Sequence, residues 1–278
     1  MRRCTFPDRG APINCAVSGG ADSLALLVLG KFAGCATHVF HVDHGLRPGS
    51  ADEADVVEAA ARQLGVRFTR LQVTVEPGPN LEARARAARY EALPDGVATG
   101  HTADDQAETI LLALLRGSAW RGLGGMTPSA RRPILGLRRR ETEDVCRRVG
   151  LEPVGDPSNH DPVHRRNRVR HELLPLMADI AARDPVPVLV RQSGLFRQGE
   201  AIIADAAADR ALAGASEVLA REAVRTWLRD ERGDEHPPDL ATVDRVLEVA
   251  RCAATATEVG GHWRVERSAQ RLRLIPPE

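Results

Sequence analysis

The stretch from Ile13 to Phe32 constrains the fold most, because it has the pattern of a buried strand, a tight turn and a helix in immediate succession. Ile13–Val17 is short and mostly apolar, and apolar residues recur at helical density from Leu24 onward. Gly19 and Gly20 in the turn allow backbone angles that other residues resist and let a ligand approach the main chain. The first N–H groups of a helix lack internal partners and lie at its positive end, so this unit predicts a phosphate site.

The turn itself has the sequence Ser-Gly-Gly-Ala-Asp-Ser, which matches neither of the two common nucleotide-binding patterns. It lacks the GxxxxGK(S/T) of a Walker A loop and the GxGxxG of a dinucleotide-binding turn. Ser18 and Ser23 add hydroxyl donors, whereas Asp22 needs a cation or an amine between its carboxylate and a phosphate. For a Gly-Gly pair alone, an ordinary capped turn is the alternative. The full hexapeptide favours ligand binding by Ser18, Gly19, Gly20, Ala21, Asp22 and Ser23.

Strands and helices alternate through the first half of the chain. The predicted strands are Thr37–Val42, Val66–Val73 and the short Val97–Thr99, and the predicted helices are Ala51–Leu64, Leu81–Leu93 and Thr102–Leu115. This order predicts an α/β fold with a Rossmann-like parallel sheet and helices on both faces. Ligands of such sheets bind beyond the carboxyl ends of the strands. Since SGGADS, DHGLR and GHTADD each follow a predicted strand, we expect them to converge on one crevice.

The character of the chain changes between Ala178 and Pro187, where Pro-Val-Pro interrupts the pattern. We therefore predict two domains, 1–180 and 181–278, the second smaller and mainly helical. Its predicted helices are Val188–Leu212, Ser216–Arg229 and Leu240–Arg251. The alternating tail predicts either two strands around Gly260-Gly261 or a short hairpin of Trp263–Glu266 with Leu272–Ile275.

A second group of chemically active residues follows the short predicted strand at Val97. On a helix, the spacings from Asp104 and Asp105 to Glu108 place these carboxylates on a shared face of the first turn, just after His101. Acidic residues also favour helix N-termini for capping and dipole reasons alone, which is the simpler alternative. Beside a phosphate loop, the cluster favours a cation or amine site, and Mg²⁺ takes one or two carboxylates together with phosphates and water.

Composition excludes several other classes of protein. The five cysteines are scattered without a CxxC pair, which argues against a disulfide framework or a zinc cluster and fits a reducing cytoplasm. The formal net charge is zero, so global charge does not indicate a nucleic-acid partner. No apolar run approaches the roughly 20 residues of a membrane span, and no signal peptide is visible, so we expect no membrane partner.

Several motifs together resemble one family. SGGADS resembles the pyrophosphate loop (PP-loop) of the ATP pyrophosphatases. HVDHGLR, ARAARY, GHTADDQAETILLALLRG, GLGGM and DPSN…RNRVRHELLP occur in order between Cys15 and Leu176 and resemble the tRNA(Ile)-lysidine synthetases. The C-terminal EVGGHWRVERSAQRLRL is similar to the end of the helical substrate-binding domain in that family.

The resemblance implies an activity: ATP adenylates the C2 oxygen of the wobble cytidine in a tRNA(Ile) with a CAU anticodon, and free lysine then displaces AMP. Residues 1–180 would be the PP-loop domain and residues 181–278 the substrate- and tRNA-binding domain. The family also allows a homodimer. The implied catalytic residues are Asp22, Arg86, His101, Asp105 and Glu108. The implied Mg²⁺ ligands are Asp22 and Asp105, and the implied RNA contacts are Arg89, Asn159, Asn167 and Arg170.

The sequence departs from the family pattern at two places, and alternatives stay open. Between Tyr90 and Val97 the chain is shorter than usual, which weakens the placement of Arg86 and Arg89. The chain resembles the short form, so recognition of the acceptor stem would be weaker or different.

A tRNA thiolase of the same superfamily is the nearest alternative, but such enzymes typically need a cysteine arrangement with CxxC. The other alternative is a non-catalytic RNA-binding relative. The intact SGGADS and DDQAE motifs argue against it. Two arginine runs, Arg131–Arg140 and Arg165–Arg170, favour contact with RNA phosphate.

Overall fold

The computed structural model describes residues 1–43, 50–74, 78, 81–118, 120–155, 161–208, 216–233, 238–268 and 271–277. The predicted sites at 44–47 of DHGLR and at Asn159 lie outside the described residues. The chain divides into two compact units, Met1–Gly194 and Leu195–Glu278.

The first unit is an α/β assembly. Its strands are β1 (Pro12–Ala16), β2 (Ala36–Asp43) and β3 (Arg67–Gln72). Its helices are α1 (Ala21–Phe32), α2 (Ser50–Leu64), α3 (Leu81–Ala92), α4 (Ala103–Leu115), α5 (Trp120–Gly124), α6 (Arg139–Arg148), α7 (Arg165–Arg168), a π-helical turn (Val169–Leu173), α8 (Leu174–Ala181) and α9 (Val186–Ala208), which extends into the second unit.

The sheet is parallel, in the order β1-β2-β3, and is flanked by helices, so the predicted Rossmann-like class is confirmed. The predicted strand Val97–Thr99 is reduced to one parallel bridge between Ala98 and Cys15 on the free side of β1. Ala16 N–H donates to the Ala98 carbonyl at 2.9 Å, and Ala98 N–H donates to the Asn14 carbonyl at 2.7 Å. Because all these segments run in the same direction, the chain leaves each of them at the same edge of the sheet.

The core of this unit lies between the sheet and α1. Leu24, Leu26 and Leu27 of α1 are fully buried, together with Cys15 and Val39 of the two neighbouring strands. Removing a leucine side chain of this kind from water contributes about 1.5–3 kcal/mol. Helix α6 packs on the other side of α1 through the buried Cys146. This packing fixes the N-terminus of α1 between the sheet edge and α6.

The segment that leads from Ala98 to α4 passes close to the N-terminus of α1. A Cβ atom on Gly100 would lie 2.7 Å from the Asp22 carbonyl oxygen and 2.9 Å from the Ser23 nitrogen. We therefore expect Gly100→Ala to lower the free energy of unfolding by about 1–3 kcal/mol, because backbone must move to accept the methyl group. Urea denaturation would measure this.

Gly155→Ala is the matched control, because no heavy atom of the described residues lies within 4 Å of the added Cβ. We expect its stability to stay within about 1 kcal/mol of the wild type. Equal unfolding midpoints for the two variants would contradict the close approach at Gly100.

The second unit combines helices with a small antiparallel sheet, as the sequence predicted. It contains α10 (Glu217–Arg232), α11 (Leu240–Ala250), β4 (Ala256–Glu258), β5 (Arg264–Ser268) and β6 (Arg271–Ile275). Both alternative pairings of the tail occur, because β5 pairs with β4 across Gly260-Gly261 and with β6 on its other side. Leu228, Val243 and Val265 form the centre of its core.

In the described part of the chain, no helix has the length and apolar character needed to cross a membrane.

Candidate active site

The turn between β1 and α1 forms an open cradle at the helix N-terminus. The Ser23 hydroxyl donates to the Gly20 carbonyl at 2.9 Å and accepts from the Ser18 N–H at 3.1 Å. Gly20 is the N-cap residue, and no side chain caps the first turn there. The helix begins at Ala21, three residues before the predicted start at Leu24. The uncapped N–H groups and the positive end of the helix dipole suit a phosphate.

The two glycines of the cradle have different roles, one in the backbone conformation and one in the space left for a ligand. Gly19 has φ +90°, a left-handed conformation that other residues resist, and Val154 packs 3.5 Å from the position its Cβ would take. Gly20 has φ −71°, which any residue adopts. Among the described residues, a Cβ on Gly20 would meet only the Ser18 hydroxyl, at 3.9 Å, which leaves space for a ligand beside Gly20.

Asp22 faces α6 from the first turn of α1. Its carboxylate accepts hydrogen bonds from the Thr142 hydroxyl and, at 3.3 Å, from the Arg139 Nε. Burial, together with the nearby Asp105, raises the pKa of Asp22 to about 6 against the opposing effect of these two donors. An additional cation at this position would favour the ionised carboxylate.

Asp105 combines the two roles that the sequence left open. Its Oδ2 accepts from the Thr102 N–H at 2.9 Å and from the Thr102 hydroxyl at 2.8 Å, which completes a capping box at the start of α4. Its Oδ1 faces the guanidinium groups of Arg139 at 3.3 Å and Arg170 at 3.7 Å. One oxygen therefore secures the helix end, while the other belongs to the charged cluster.

Glu108 lies one turn further along α4 and has no solvent exposure. Arg170, from the π-helical turn, binds both of its oxygens, at 2.6 and 3.1 Å. Arg166 of α7 approaches the same carboxylate to 3.0 Å, and Arg139 approaches it to 3.6 Å. π-Helical turns within α-helices often occur at functional sites, and here the turn directs Arg170 towards α4.

Arg139 is the residue that joins the phosphate cradle to the acidic cluster. Its guanidinium contacts Asp22 of α1 and both Asp105 and Glu108 of α4, at distances of 3.3 to 3.6 Å. Sequence reasoning assigned it only to a basic run expected to contact RNA. The signal that could have found it is local: Arg139 and Thr142 are three residues apart, on one face of α6, and both reach Asp22.

Asp104, the third carboxylate of the cluster, has a structural role. Arg138 binds both of its oxygens, at 2.9 and 3.0 Å, and also pairs with Asp184. Burial raises the pKa of Asp104, but the hydrogen bonds from Arg138 and from the Arg139 N–H outweigh burial, so that the net pKa is lowered. This network attaches α6 to the start of α4.

The other predicted site residues lie at several places around this cluster. The His101 Nδ1 lies 2.7 Å from the Thr99 hydroxyl, before the start of α4. Asn167 is buried and donates to the Asp161 carbonyl at 2.9 Å. Arg89 is half-buried on α3, and Arg86 belongs to the same helix, although its side chain is not among those described.

The carboxylates Asp22 and Asp105 fit a magnesium ion by donor chemistry. Both are acids that share one guanidinium, and Mg²⁺ needs only one or two carboxylates when phosphates supply the other ligands. A metal site made by protein side chains alone would need a group of at least three ligating residues. No such group occurs within the described residues.

Two buried cysteines of the first unit, Cys15 and Cys146, are not activated. Burial raises the pKa of Cys15 to about 12 and that of Cys146 to about 11, so both thiols stay protonated at neutral pH.

Comparison with known sequences gives a consistent result. The sequence profile of the PP-loop domain family, whose members bind ATP, matches residues 4–177. A tRNA(Ile)-lysidine synthase of Nocardia farcinica is 39% identical over 97% of this chain and 90% of its own length. A tRNA(Ile)-lysidine synthase of Salinispora arenicola is 36% identical over 98% of this chain and 93% of its own length.

Among solved structures, the U34-tRNA thiolase NcsA from Methanococcus maripaludis, determined with its 4Fe-4S cluster, has a similar fold. The TM-score is 0.52 at 16% identity, over 68% of this chain and 73% of the thiolase. This likeness extends to the fold alone.

Proposed function

The chain belongs to the tRNA(Ile)-lysidine synthase family, and from this premise we propose that it joins lysine to the C2 position of the wobble cytidine in a tRNA(Ile) with a CAU anticodon. One ATP would be converted to AMP and pyrophosphate. We place this reaction in the cytoplasm, with the enzyme acting as a monomer or homodimer. Residues 1–180 would carry the chemistry, and residues 181–278 would bind substrate RNA.

A single observation supports the proposal best. Arg139 bridges Asp22, at the phosphate cradle, and Asp105, in the acidic cluster, with 3.3 Å to each. An anion site and a cation site therefore adjoin, and the proposed reaction needs both. ATP requires the first, and the lysine amine requires the second.

In the first step, the C2 oxygen of cytidine attacks the α-phosphorus of ATP, and the bond to pyrophosphate breaks. The uncapped N–H groups of α1 and the Ser18 hydroxyl hold the leaving pyrophosphate, while Ser23 shapes the turn by donating to the Gly20 carbonyl. Such fixed donors stabilise the charge that develops on the phosphate oxygens. Arg86 would act on nucleotide phosphate, the role that the family resemblance implies for it.

Magnesium fits this cradle as a partner of ATP. Asp22 and Asp105 would hold the ion, and when bound it would neutralise phosphate charge. Arg139 would then exchange its acid partners for a phosphate oxygen, since its distances of 3.3 to 3.6 Å exceed those of strong charge-assisted hydrogen bonds.

In the second step, the neutral side-chain amine of lysine attacks C2, the bond from C2 to oxygen breaks, and AMP leaves with that oxygen. Asp105 orients the amine and accepts the proton that nitrogen loses, beside His101. Glu108 contributes through the arginines it holds, namely Arg139, Arg166 and Arg170. The RNA contacts remain those that the sequence implied, at Arg89, Asn159, Asn167 and Arg170.

The direct test is incubation of the protein with ATP, radiolabelled lysine and unmodified tRNA(Ile) bearing CAU. We expect label in the RNA and AMP in equal amount, and no label in a tRNA with a different anticodon. If folded protein incorporates no lysine, the proposed function is wrong.

Gly20→Ala tests the phosphate cradle separately. A methyl group at Gly20 meets no backbone, so we expect an unchanged melting temperature. It would occupy the space through which a phosphate approaches the first turn of α1, so we expect ATP to bind at least about tenfold more weakly, the equivalent of one lost charge-assisted hydrogen bond. Isothermal titration with ATP would measure this. Unchanged affinity would show that the phosphates bind elsewhere.

A further inference from the structure

An open groove lies away from the charged cluster, at the far end of α4. Its volume is about 500 Å³, within the range of sites for small ligands. Its floor is aliphatic and comes from two places, with Leu112 and Leu115 on α4 and Val169, Leu173 and Leu176 on the π-helical turn and α8. We call this feature the α4–α8 groove.

The leucine side chains of the floor are more exposed to solvent than the side chains of a folded core. Leu115 is 70% exposed and Leu176 is 53% exposed, although both line the groove. Leucine side chains left open in this way, next to one another, are typical of a binding surface.

The rim of the groove is basic. Arg116 and Arg165 line it with exposed side chains, and neither forms an ion pair with another described residue. Arg168 also lines the groove, but Glu172 neutralises it at 2.8 Å. The groove therefore has an apolar floor and two positive charges that no described residue neutralises, which matches a flat apolar group attached to phosphate.

The groove and the charged cluster lie along the same face of α4. Leu112, Leu115 and Arg116 follow Glu108 at intervals of four, seven and eight residues, so they share its helix face. The seven residues from Glu108 to Leu115 span about 10 Å along the helix axis. Stacked nucleotides are about 3.4 Å apart along a strand, so the groove lies about three nucleotides from the acidic cluster.

From these observations we propose that the α4–α8 groove binds one unpaired nucleotide of the substrate RNA, a few positions from the cytidine that reacts. The base lies on the aliphatic floor, and its flanking phosphates pair with Arg116 and Arg165. Guanidinium planes also stack on bases, and recognition of splayed, unpaired bases is the usual mode for single-stranded RNA. The proposal rests on the proposed function, which supplies the RNA and the position of the reacting base.

The test compares two adjacent leucines at the end of α4. Leu115 lines the groove, whereas Leu114, 58% exposed on the same helical turn, does not. We expect Leu115→Glu to weaken binding of an anticodon stem-loop RNA with a CAU loop at least about tenfold, the effect of losing one stacked base. Leu114→Glu introduces the same charge and should bind as wild type. Fluorescence anisotropy of labelled RNA measures both, and both leucines are more than half exposed.

The salt dependence gives a second readout. The double variant Arg116→Gln with Arg165→Gln should reduce the slope of log affinity against log salt by about 0.7 for each RNA phosphate that the protein no longer neutralises. The slope of Arg148→Gln, an exposed arginine at the end of α6 and outside both arginine runs, should not change.

Two results would overturn the proposal. One is equal RNA affinity for Leu115→Glu and Leu114→Glu. The other is a wild-type dimer that Leu115→Glu converts to a monomer without loss of RNA affinity, which would make the groove an interface between two copies of the chain. The proposed function is tested separately. If the protein binds the stem-loop through Leu115 but forms no lysidine, the groove proposal stands and the proposed reaction is wrong.

Discussion

Replacing Glu108 with glutamine is expected to lower the free energy of unfolding by about 3–5 kcal/mol, the usual cost of removing one partner from a buried ion pair. The carboxylate is fully buried, and Arg170 binds both of its oxygens. Glutamine keeps the shape but removes the charge, and its amide group directs N–H donors at guanidinium donors. Arg166 and Arg139 lose a counterion as well. Denaturation in urea at neutral pH would measure the loss.

Glu172→Gln is the matched control for this variant. Glu172 also accepts from an arginine through both oxygens, but its partner Arg168 is exposed and four residues away on the same helical segment. Exposed pairs of this kind contribute little to stability, so we expect the unfolding midpoint of the wild type. Similar midpoints for the two variants would contradict the claim that Glu108 holds the arginines together.

The second large effect is expected at Asp22. Asp22→Asn should reduce lysidine formation at least about 100-fold, because the proposed cation site beside the phosphates loses one of its two acids. The rate of label transfer from lysine to tRNA measures this. Stability should change in the opposite direction, so that loss of activity cannot come from unfolding.

The sign of the stability change follows from the raised pKa of Asp22, about 6 in the folded protein against an ordinary 3.8. The folded state holds this proton more tightly, so the stability it contributes is complete below pH 3.8 and is lost as pH rises through 6. Asparagine carries no such penalty. In metal-free buffer we therefore expect Asp22→Asn and the wild type to have equal free energies of unfolding near pH 4. Above about pH 7 we expect the variant to be more stable by about 2–3 kcal/mol.

Asp104→Asn is the control of opposite sign. The pKa of Asp104 is lowered, so its ionised form contributes stability above the ordinary pKa, which is lost as pH falls. We expect Asp104→Asn to be less stable than wild type at neutral pH. If both variants shift stability in the same direction at pH 8, the environments assigned to the two carboxylates are wrong.

Local features of the active site were predictable from the sequence because they depend on neighbours in the chain. The strand, the Gly19 turn and the existence of a helix after it follow from apolar runs and from backbone angles that glycine favours. The tail was predictable only as two alternatives, since β5 can pair with strands on both sides and in fact does. The start of α1 was missed by three residues, because no side chain caps it.

The roles of individual carboxylates were not predictable from spacing. Asp104, Asp105 and Glu108 occupy one turn of α4, yet one binds Arg138, one caps the helix and one is buried against Arg170. Successive residues of a helix point about 100° apart, so neighbouring acids face different parts of the protein. The position of α6 and the π-helical turn decides which acid meets which arginine.

The sequence by itself determined the glycine turn before α1, the parallel sheet and the family, because each is encoded in short contiguous motifs. Only the tertiary structure decided that Arg139, more than 30 residues after Asp105 and more than 115 after Asp22, joins the cradle to the acids. The physical reason is that an ion pair depends on distance in space, and α6 reaches α1 through the packing of Cys146 and its neighbours. The spacing of Arg139 and Thr142 shows that they share a face of α6, but it does not show which element that face meets.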